Sequence, residues 1–424
     1  MLKTEIINTG TELFLDEMAN TNLAFLSNQL LEIGWEPGFH TTIPDNLNYL
    51  ISAIHTALQR ADLVIITGGL GATKDDLTRF AVSLAVKREL HFNQQAFQSI
   101  QRFFKRMNRP VPLNNRIQAE IPESAGVLMN SIGTAPGFWL KIPDHGVSLN
   151  RKNKVLVVLP GVPQELKEMF KKSVRPLLKK MALSSSQRHP FFSEKLLLFG
   201  ISESYLQEEL DILPLPELIT PAITAANNGV ISLRLIINTN KYHKSHRLLS
   251  YFLGKIRKRL GTIIFGADDD TMEGVVGDLL LRKKLTVAVA ESCSGGLLSH
   301  KLTNIPGISA VFKEGVVTYS DEAKIKRLGI NARLMKRCGA VSPEVALLMA
   351  RHIALQTGAD FGLGITGIAG PGGGSLKKPV GLVYLALHSR YQTELKQAQF
   401  IGNRETIKEH VATTALNMLR LKLL

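Results

Sequence analysis

Three features of the 424-residue sequence predict an α/β protein of two or three domains. Apolar runs of strand length, such as ADLVIIT ending at Thr67 and LTVAVA at Leu285–Ala290, alternate with segments spaced like amphipathic helices. Both runs end in glycine- or hydroxyl-rich turns followed by a helix start, as expected where a parallel sheet is covered by helices. The length also exceeds one core of about 150 residues.

Hydrophobic residues make up 45% and charged residues 21%, a globular composition, and no apolar run reaches the ~20 residues of a membrane span. The start, MLKTEIINTGTELF, lacks the apolar block of a signal peptide, so a cytoplasmic location is expected. Cys293 and Cys338 are too few for a disulfide framework and lack zinc-ligand spacing, which predicts reduced thiols. The net charge of +15 suits nucleic acid or anionic small molecules alike. No zinc finger or aromatic–basic pattern accompanies it, and Lys171, Lys172, Arg175, Lys179 and Lys180 have the spacing of a solvated helix face, so nucleic acid is not the expected partner.

Along the first section, the strand pattern TEIINTG leads to a helix over Thr21–Ile33, a second over Ile51–Leu58, and the buried strand before Thr67. The turn containing Gly68, Gly69 and Gly71 lets backbone approach a phosphate, and Asp75 and Asp76 follow it, with Asp45 upstream. Paired carboxylates of this kind can hold a hard divalent cation. A linker is expected at Ser184–Phe192, a half-solvated strand at Ile231–Ile237, and a helix over Ser245–Leu260 with Lys255, Arg257, Lys258 and Arg259 at its end. No GxxG loop is present there, which suits a spacer or assembly domain better than an RNA binder. Asp268, Asp269 and Asp270 precede a helix and read as its caps.

In the last section the run Leu285–Ala290 ends in Ser292-Cys293-Ser294-Gly295-Gly296, a turn suited to a ligand at the carboxyl end of a strand. Gly364–Ser375 follows a second strand-like run and offers unhindered backbone N–H groups; with Ser292, Ser294 and Thr366 it is expected to bind a phosphate and ribose. Cys293 has no histidine nearby and reads as a small buried residue.

The motifs GTELF, TGGLGATKDDLT, GTAPGF and LPGVPQELKEMF resemble the N-terminal domain of the CinA (competence/damage-inducible protein A) family, and AESCSGG, PGISAVF, GVVTYSDEAK, GAVSPEVA, GITGIAGPGGG and KPVGLVYLAL resemble its C-terminal domain. The resemblance implies a molybdopterin-binding-like parallel-sheet domain over residues 1–170, a small KH-like α+β linker or assembly domain over 171–262, and an α/β nicotinamide-nucleotide amidase domain over 263–424. It implies hydrolysis of the carboxamide of nicotinamide mononucleotide to nicotinate mononucleotide and ammonia, with no cofactor, in a homodimer. Carried over by motif, the catalytic residues are Ser309, Tyr319 and Lys324, with Gly307 and Ser309 at the oxyanion. Ser292, Ser294, Gly295, Gly296, Thr366, Gly367, Gly370, Gly372 and Arg404 are assigned to the substrate. The N-terminal domain is associated with metal-dependent ADP-ribose pyrophosphatase activity, which puts a nucleotide at Gly68, Gly69, Gly71 and Asp45 and a divalent metal at Asp75 and Asp76. Asp16 and Ala72 stand where the family usually has glycine and proline. Asn403, Ser294 and Asp321 replace its usual aspartate, threonine and asparagine.

Residue chemistry supports such an assignment separately. Amide hydrolysis through an acyl-enzyme needs a nucleophile, a base that later protonates the amine, and oxyanion donors. The strand pattern Gly315–Tyr319 puts Val317 and Tyr319 on one face, and Lys324 is expected in the first helical turn after it, where a cation is disfavoured. The contrasting reading is a non-catalytic ligand-binding or regulatory protein of competence or DNA damage response.

Overall fold

The computed structural model describes residues 2–15, 20–143, 153–183, 191–238, 242–390 and 392–424. Asp16 and residues 184–190 of the expected linker lie outside the described residues. The chain divides into two compact units, one of residues 1–192 with 238–245, the other of 193–237 with 246–424.

The first unit is built on a six-stranded sheet in the spatial order Trp35–Ile43, Leu2–Thr9, Leu63–Thr67, Lys154–Leu159, Gly137–Ile142, Gly126–Leu128. The first four strands run parallel and the last two are joined by antiparallel pairings, so the expected parallel sheet is a mixed one. Leu63–Thr67 is buried along its whole length, which explains its unbroken apolar run: both faces are covered. The helix Leu47–Arg60 buries Leu50, Ile54 and Ala57, a stripe at helical spacing, against this sheet's core. Side chains the size of Leu50 and Ile54 each stabilise the fold by about 1.5–3 kcal/mol when fully buried. The helical run from Pro163 to Leu183 passes through the expected boundary at 170, and the compact unit continues beyond it.

In the second unit, a four-stranded sheet is ordered Ile219–Ala225, Val230–Asn238, Phe191–Phe199, Ile264–Ala267. Its fourth strand pairs antiparallel with Phe191–Phe199, so Ile264–Ala267, expected to open the last domain, completes the middle sheet. A second sheet is ordered Phe312–Val317, Val287–Glu291, Phe361–Gly367, Leu382–Ser389, Thr393–Gln399; its first three strands are parallel and its last two are added by antiparallel pairings. The helices Met272–Lys283 and Arg404–Leu423 pack on one face, through Val276, Leu280, Val411 and Leu416 among others. The opposite face is covered by Pro343–Thr357, through Val345, Met349 and Ile353. Thr271, not the preceding aspartates, caps the helix Met272–Lys283 by accepting from Gly274 N–H, while Asp270 accepts from Ala267 N–H to close the turn.

Candidate active site

The three parallel strands of the last domain end at one edge of the sheet, and each contributes a piece of the site there. Val287–Glu291 is followed by the turn Ser292–Gly296, Phe312–Val317 by Thr318–Ser320 and the helix Asp321–Leu328, and Phe361–Gly367 by the glycine-rich loop. This is the edge where open α/β sheets hold ligands.

Lys324 lies in the first turn of the helix Asp321–Leu328, whose cap is Ser320. Its side chain points inward and the residue is only 1% exposed. Its Nζ lies 3.0 Å from Ser292 Oγ, 2.8 Å from the Thr318 carbonyl oxygen and 3.3 Å from that of Tyr319. No carboxylate bonds to it, and burial pushes its pKa below the ordinary 10.5 despite the opposing field of Asp321. The three N–H groups of the amine when protonated match this cage of three oxygens, donating to the Ser292 hydroxyl and the two carbonyls.

Glu291, the last residue of its strand, is fully buried. Its carboxylate accepts from the N–H groups of Gly296, Leu298 and Ser299 and from the Ser299 hydroxyl, at 2.6–3.1 Å. The start of the helix Leu297–Thr303 is thereby filled by the protein's own anion. The turn is tight: Gly295 and Gly296 have φ of +64° and +94°, which glycine adopts without strain. Ser294 Oγ is buried with no partner among the described residues. The Cys293 thiol is pushed up to about 12 by burial, which removes it as a thiolate nucleophile.

Tyr319 is 58% exposed, and its hydroxyl accepts from Arg404 Nη2 at 2.6 Å while Arg404 Nη1 donates to the Gly370 carbonyl at 2.6 Å. Arg404 thus joins the second strand end to the glycine-rich loop. Thr366 is buried and donates to the Ala340 carbonyl at 2.8 Å. At Gly367 a Cβ would come within 2.6 Å of Val383, so that glycine serves strand packing, whereas Gly372 faces open space.

Ser309 does not join this group. It lies in the turn Ile308–Ala310 that precedes the strand Phe312–Val317, whereas Tyr319 and Lys324 follow that strand. A six-residue strand separates the two ends by about 17 Å at ~3.3 Å per residue. Gly307 shares this location, so the expected nucleophile and oxyanion positions belong to the opposite edge of the sheet. The hydroxyl brought to Lys324 is that of Ser292, expected to bind substrate. Glu291 was not expected at the site, although a carboxylate shortly before a helix start is a capping signal.

In the first unit, a cavity of about 680 Å³ opens at the ends of the parallel strands, bordered by Gly68, Gly69, Gly71, Asp45, Asp75 and Asp76. Asp76 accepts from Gly71 N–H at 2.7 Å and from Thr73 N–H and hydroxyl at 2.8 and 2.5 Å. Asp45 accepts from the Thr9 hydroxyl and from Thr11 N–H and hydroxyl at 2.9–3.2 Å. Asp76 clamps its own loop, Asp45 ties its loop to the segment Thr9–Thr11, and Asp75 is exposed. Among the described residues no three His, Cys, Asp or Glu groups converge. The divalent-metal site implied at Asp75 and Asp76 is therefore not built by these donors. Glu165, which was not expected here, also borders the cavity; it accepts from Asn130 Nδ2 at 2.6 Å, and burial raises its pKa.

No helix among the described residues is long and apolar enough to cross a membrane. Residues 269–423 match the family model "CinA C-terminal domain", 193–266 "Damage-inducible protein CinA KH domain" and 5–180 "Probable molybdopterin binding domain". The chain is 43% identical over 418 residues to a competence-damage inducible protein of Moorella thermoacetica, covering 99% of this chain and 98% of that one. A relative of the same name in Caldicellulosiruptor bescii is 40% identical over 420 residues, covering 99% of each. A solved structure, the competence/damage inducible protein CihA from Agrobacterium tumefaciens, is 38% identical with a TM-score of 0.35, over 36% of this chain and 96% of that one.

Proposed function

The chain belongs to the competence-damage inducible protein (CinA) family, and on that premise we propose that its C-terminal domain is a serine amidase acting on the carboxamide of nicotinamide mononucleotide, with Ser292 as nucleophile and Lys324 as general base. The observation that carries the reading is the buried Lys324 Nζ, free of any carboxylate, 3.0 Å from Ser292 Oγ.

Ser292 Oγ attacks the carboxamide carbon while its proton passes to Lys324 Nζ. Lys324 returns that proton to the departing nitrogen, which leaves as ammonia, and an ester to Ser292 remains. Water then attacks the ester, Lys324 takes its proton, and nicotinate mononucleotide departs as the serine hydroxyl is restored. Glu291 occupies the N–H groups at the start of the following helix, so those donors are not assigned to the oxyanion. Tyr319 and Arg404 line the mouth, where the guanidinium suits an anionic substrate.

Ammonia release from nicotinamide mononucleotide by the full chain tests the proposal. Ser292→Ala is expected to lower kcat by about 10³-fold or more, with an unchanged melting temperature. Turnover by Ser292→Ala at the parent rate would exclude this nucleophile.

For the N-terminal domain the reading is ligand binding. ADP-ribose pyrophosphatase chemistry through Asp75 and Asp76 is not assigned, because Asp76 already accepts three hydrogen bonds from its own loop.

A further inference from the structure

We infer that the N-terminal domain holds the anionic, phosphate-bearing end of its ligand in a second cavity beside the acidic one. This cavity, of about 640 Å³, is bordered by Arg102, Lys105, Arg106, Met129, Asn130 and Ser131. The three cations stand on one side of the helix Gln94–Arg106, at spacings of three and four residues, while Ala96 and Ile100 face the core.

The bland reading of Lys105 and Arg106 is that they complement the negative end of their own helix. That accounts for their sign but leaves two further facts. The side-chain hydrogen bonds of the two arginines run to main-chain carbonyls: Arg102 Nε donates to Gln98 at 3.3 Å and Arg106 Nη2 to Ser131 at 3.2 Å. No carboxylate borders the cavity, so three positive charges face one concave space without a counter-charge. Such a space attracts an anion, and two forked guanidinium groups suit phosphate oxygens.

The neighbouring cavity carries side-chain charge of the opposite sign. Glu12, Asp45, Asp75, Asp76 and Glu165 border it, and no lysine or arginine does. The glycine turn that could cradle a phosphate donates Gly71 N–H to Asp76 instead. Asn130 borders the basic cavity and is hydrogen-bonded to Ala135 and Glu165, which border the acidic one. Its Nδ2 donates to Glu165 Oε2 and to the Ala135 carbonyl on the acidic side, and its Oδ1 accepts from Ile132 and Gly133 N–H at 3.1 and 2.8 Å. A fixed loop therefore separates a carboxylate-lined space from a cation-lined one, an arrangement for a ligand whose uncharged or cationic end enters the first and whose phosphate enters the second.

Calorimetric titration of the full-length chain with inorganic pyrophosphate tests this. The parent is expected to bind one more equivalent per chain than Arg102→Gln/Arg106→Gln, or to bind that equivalent at least tenfold more tightly. A Lys105→Glu variant, which retains both arginines, is expected to weaken the same equivalent. Lys179→Gln/Lys180→Gln, which removes two exposed charges from another helix of the same unit, is expected to titrate like the parent. Identical isotherms for the parent and the arginine variant, or equal weakening in the Lys179→Gln/Lys180→Gln control, would overturn the inference.

Discussion

The two strand-end sites of this chain contain similar materials, a glycine turn beside ionisable side chains, yet they use them in opposite ways. In the N-terminal cavity Asp45 and Asp76 are satisfied by groups of the loops at the strand ends, each accepting three hydrogen bonds. At the C-terminal site Glu291 takes over that loop-holding work, accepting four, which leaves Lys324 with no carboxylate and a serine hydroxyl as its side-chain partner. A charge whose partners are all structural marks a scaffold. A buried amine without a carboxylate partner has its pKa lowered by burial, and that is the difference between a clamp and the base proposed here.

The largest effect that could break the contrast concerns Lys324. Lys324→Arg is expected to abolish amide hydrolysis, because guanidinium does not deprotonate, and a variant with parent ammonia release would end the base assignment. In the parent, kcat/KM is expected to rise with pH through a value below 10.5, since burial lowers the lysine's pKa and only the neutral form accepts the serine proton. Linkage gives the matching sign for stability. The folded pKa lies below the unfolded one, so between the two the unfolded chain binds more protons and stability rises with pH. The cost of burying the ammonium is complete below the folded pKa and gone above the unfolded one. The stability of the parent relative to Lys324→Met should therefore increase as pH is raised toward 10.5, read from melting temperatures of both proteins across that range.

A smaller effect sharpens the other side of the contrast. Asp76→Ala removes the acceptor for Gly71 N–H, Thr73 N–H and the Thr73 hydroxyl. Leaving such groups unpaired costs about 1–3 kcal/mol when they are buried, and less here because Thr73 is exposed and water replaces the carboxylate. The N-terminal unit should melt a few degrees lower while ammonia release stays at the parent level. Loss of amidase activity in this variant would show that the two sites do not divide structure from chemistry as described.

What the sequence reveals follows the same division. Buried strands, amphipathic helices and strand-to-helix turns were legible because each is a local pattern, as at Leu63–Thr67 and Leu47–Arg60. Lys324 was placed in a first helical turn from the capping pattern alone, and it lies there. Its burial was not legible, because a lysine at that position is usually solvated and only the packing beneath the helix Asp321–Leu328 decides which way it points. Ser309, carried over by motif as nucleophile, lies apart from Lys324 for a topological reason. Ser292 and Ser309 both neighbour glycines in small-residue turns, and choosing between them requires knowing that Phe312–Val317 runs parallel to Val287–Glu291. The antiparallel edge strands of both domains were missed for the same reason, since strand direction leaves no mark in an apolar run.

The smallest expected effect tests that topological argument. Ser309 is exposed, whereas its neighbour Ile308 is buried in the core and anchors the turn leading into Phe312–Val317. The Ser309 hydroxyl therefore lies at the amino end of a strand whose carboxyl end leads to Tyr319 and Lys324. Ser309→Ala removes one exposed hydroxyl and no packing, so stability should change by no more than about 0.5 kcal/mol and kcat by less than about twofold. Side-by-side progress curves for Ser292→Ala and Ser309→Ala on nicotinamide mononucleotide read the difference directly. A thousandfold loss in Ser309→Ala with full activity in Ser292→Ala would mean that a second copy of the chain, not the strand end within one copy, brings the attacking hydroxyl to Lys324.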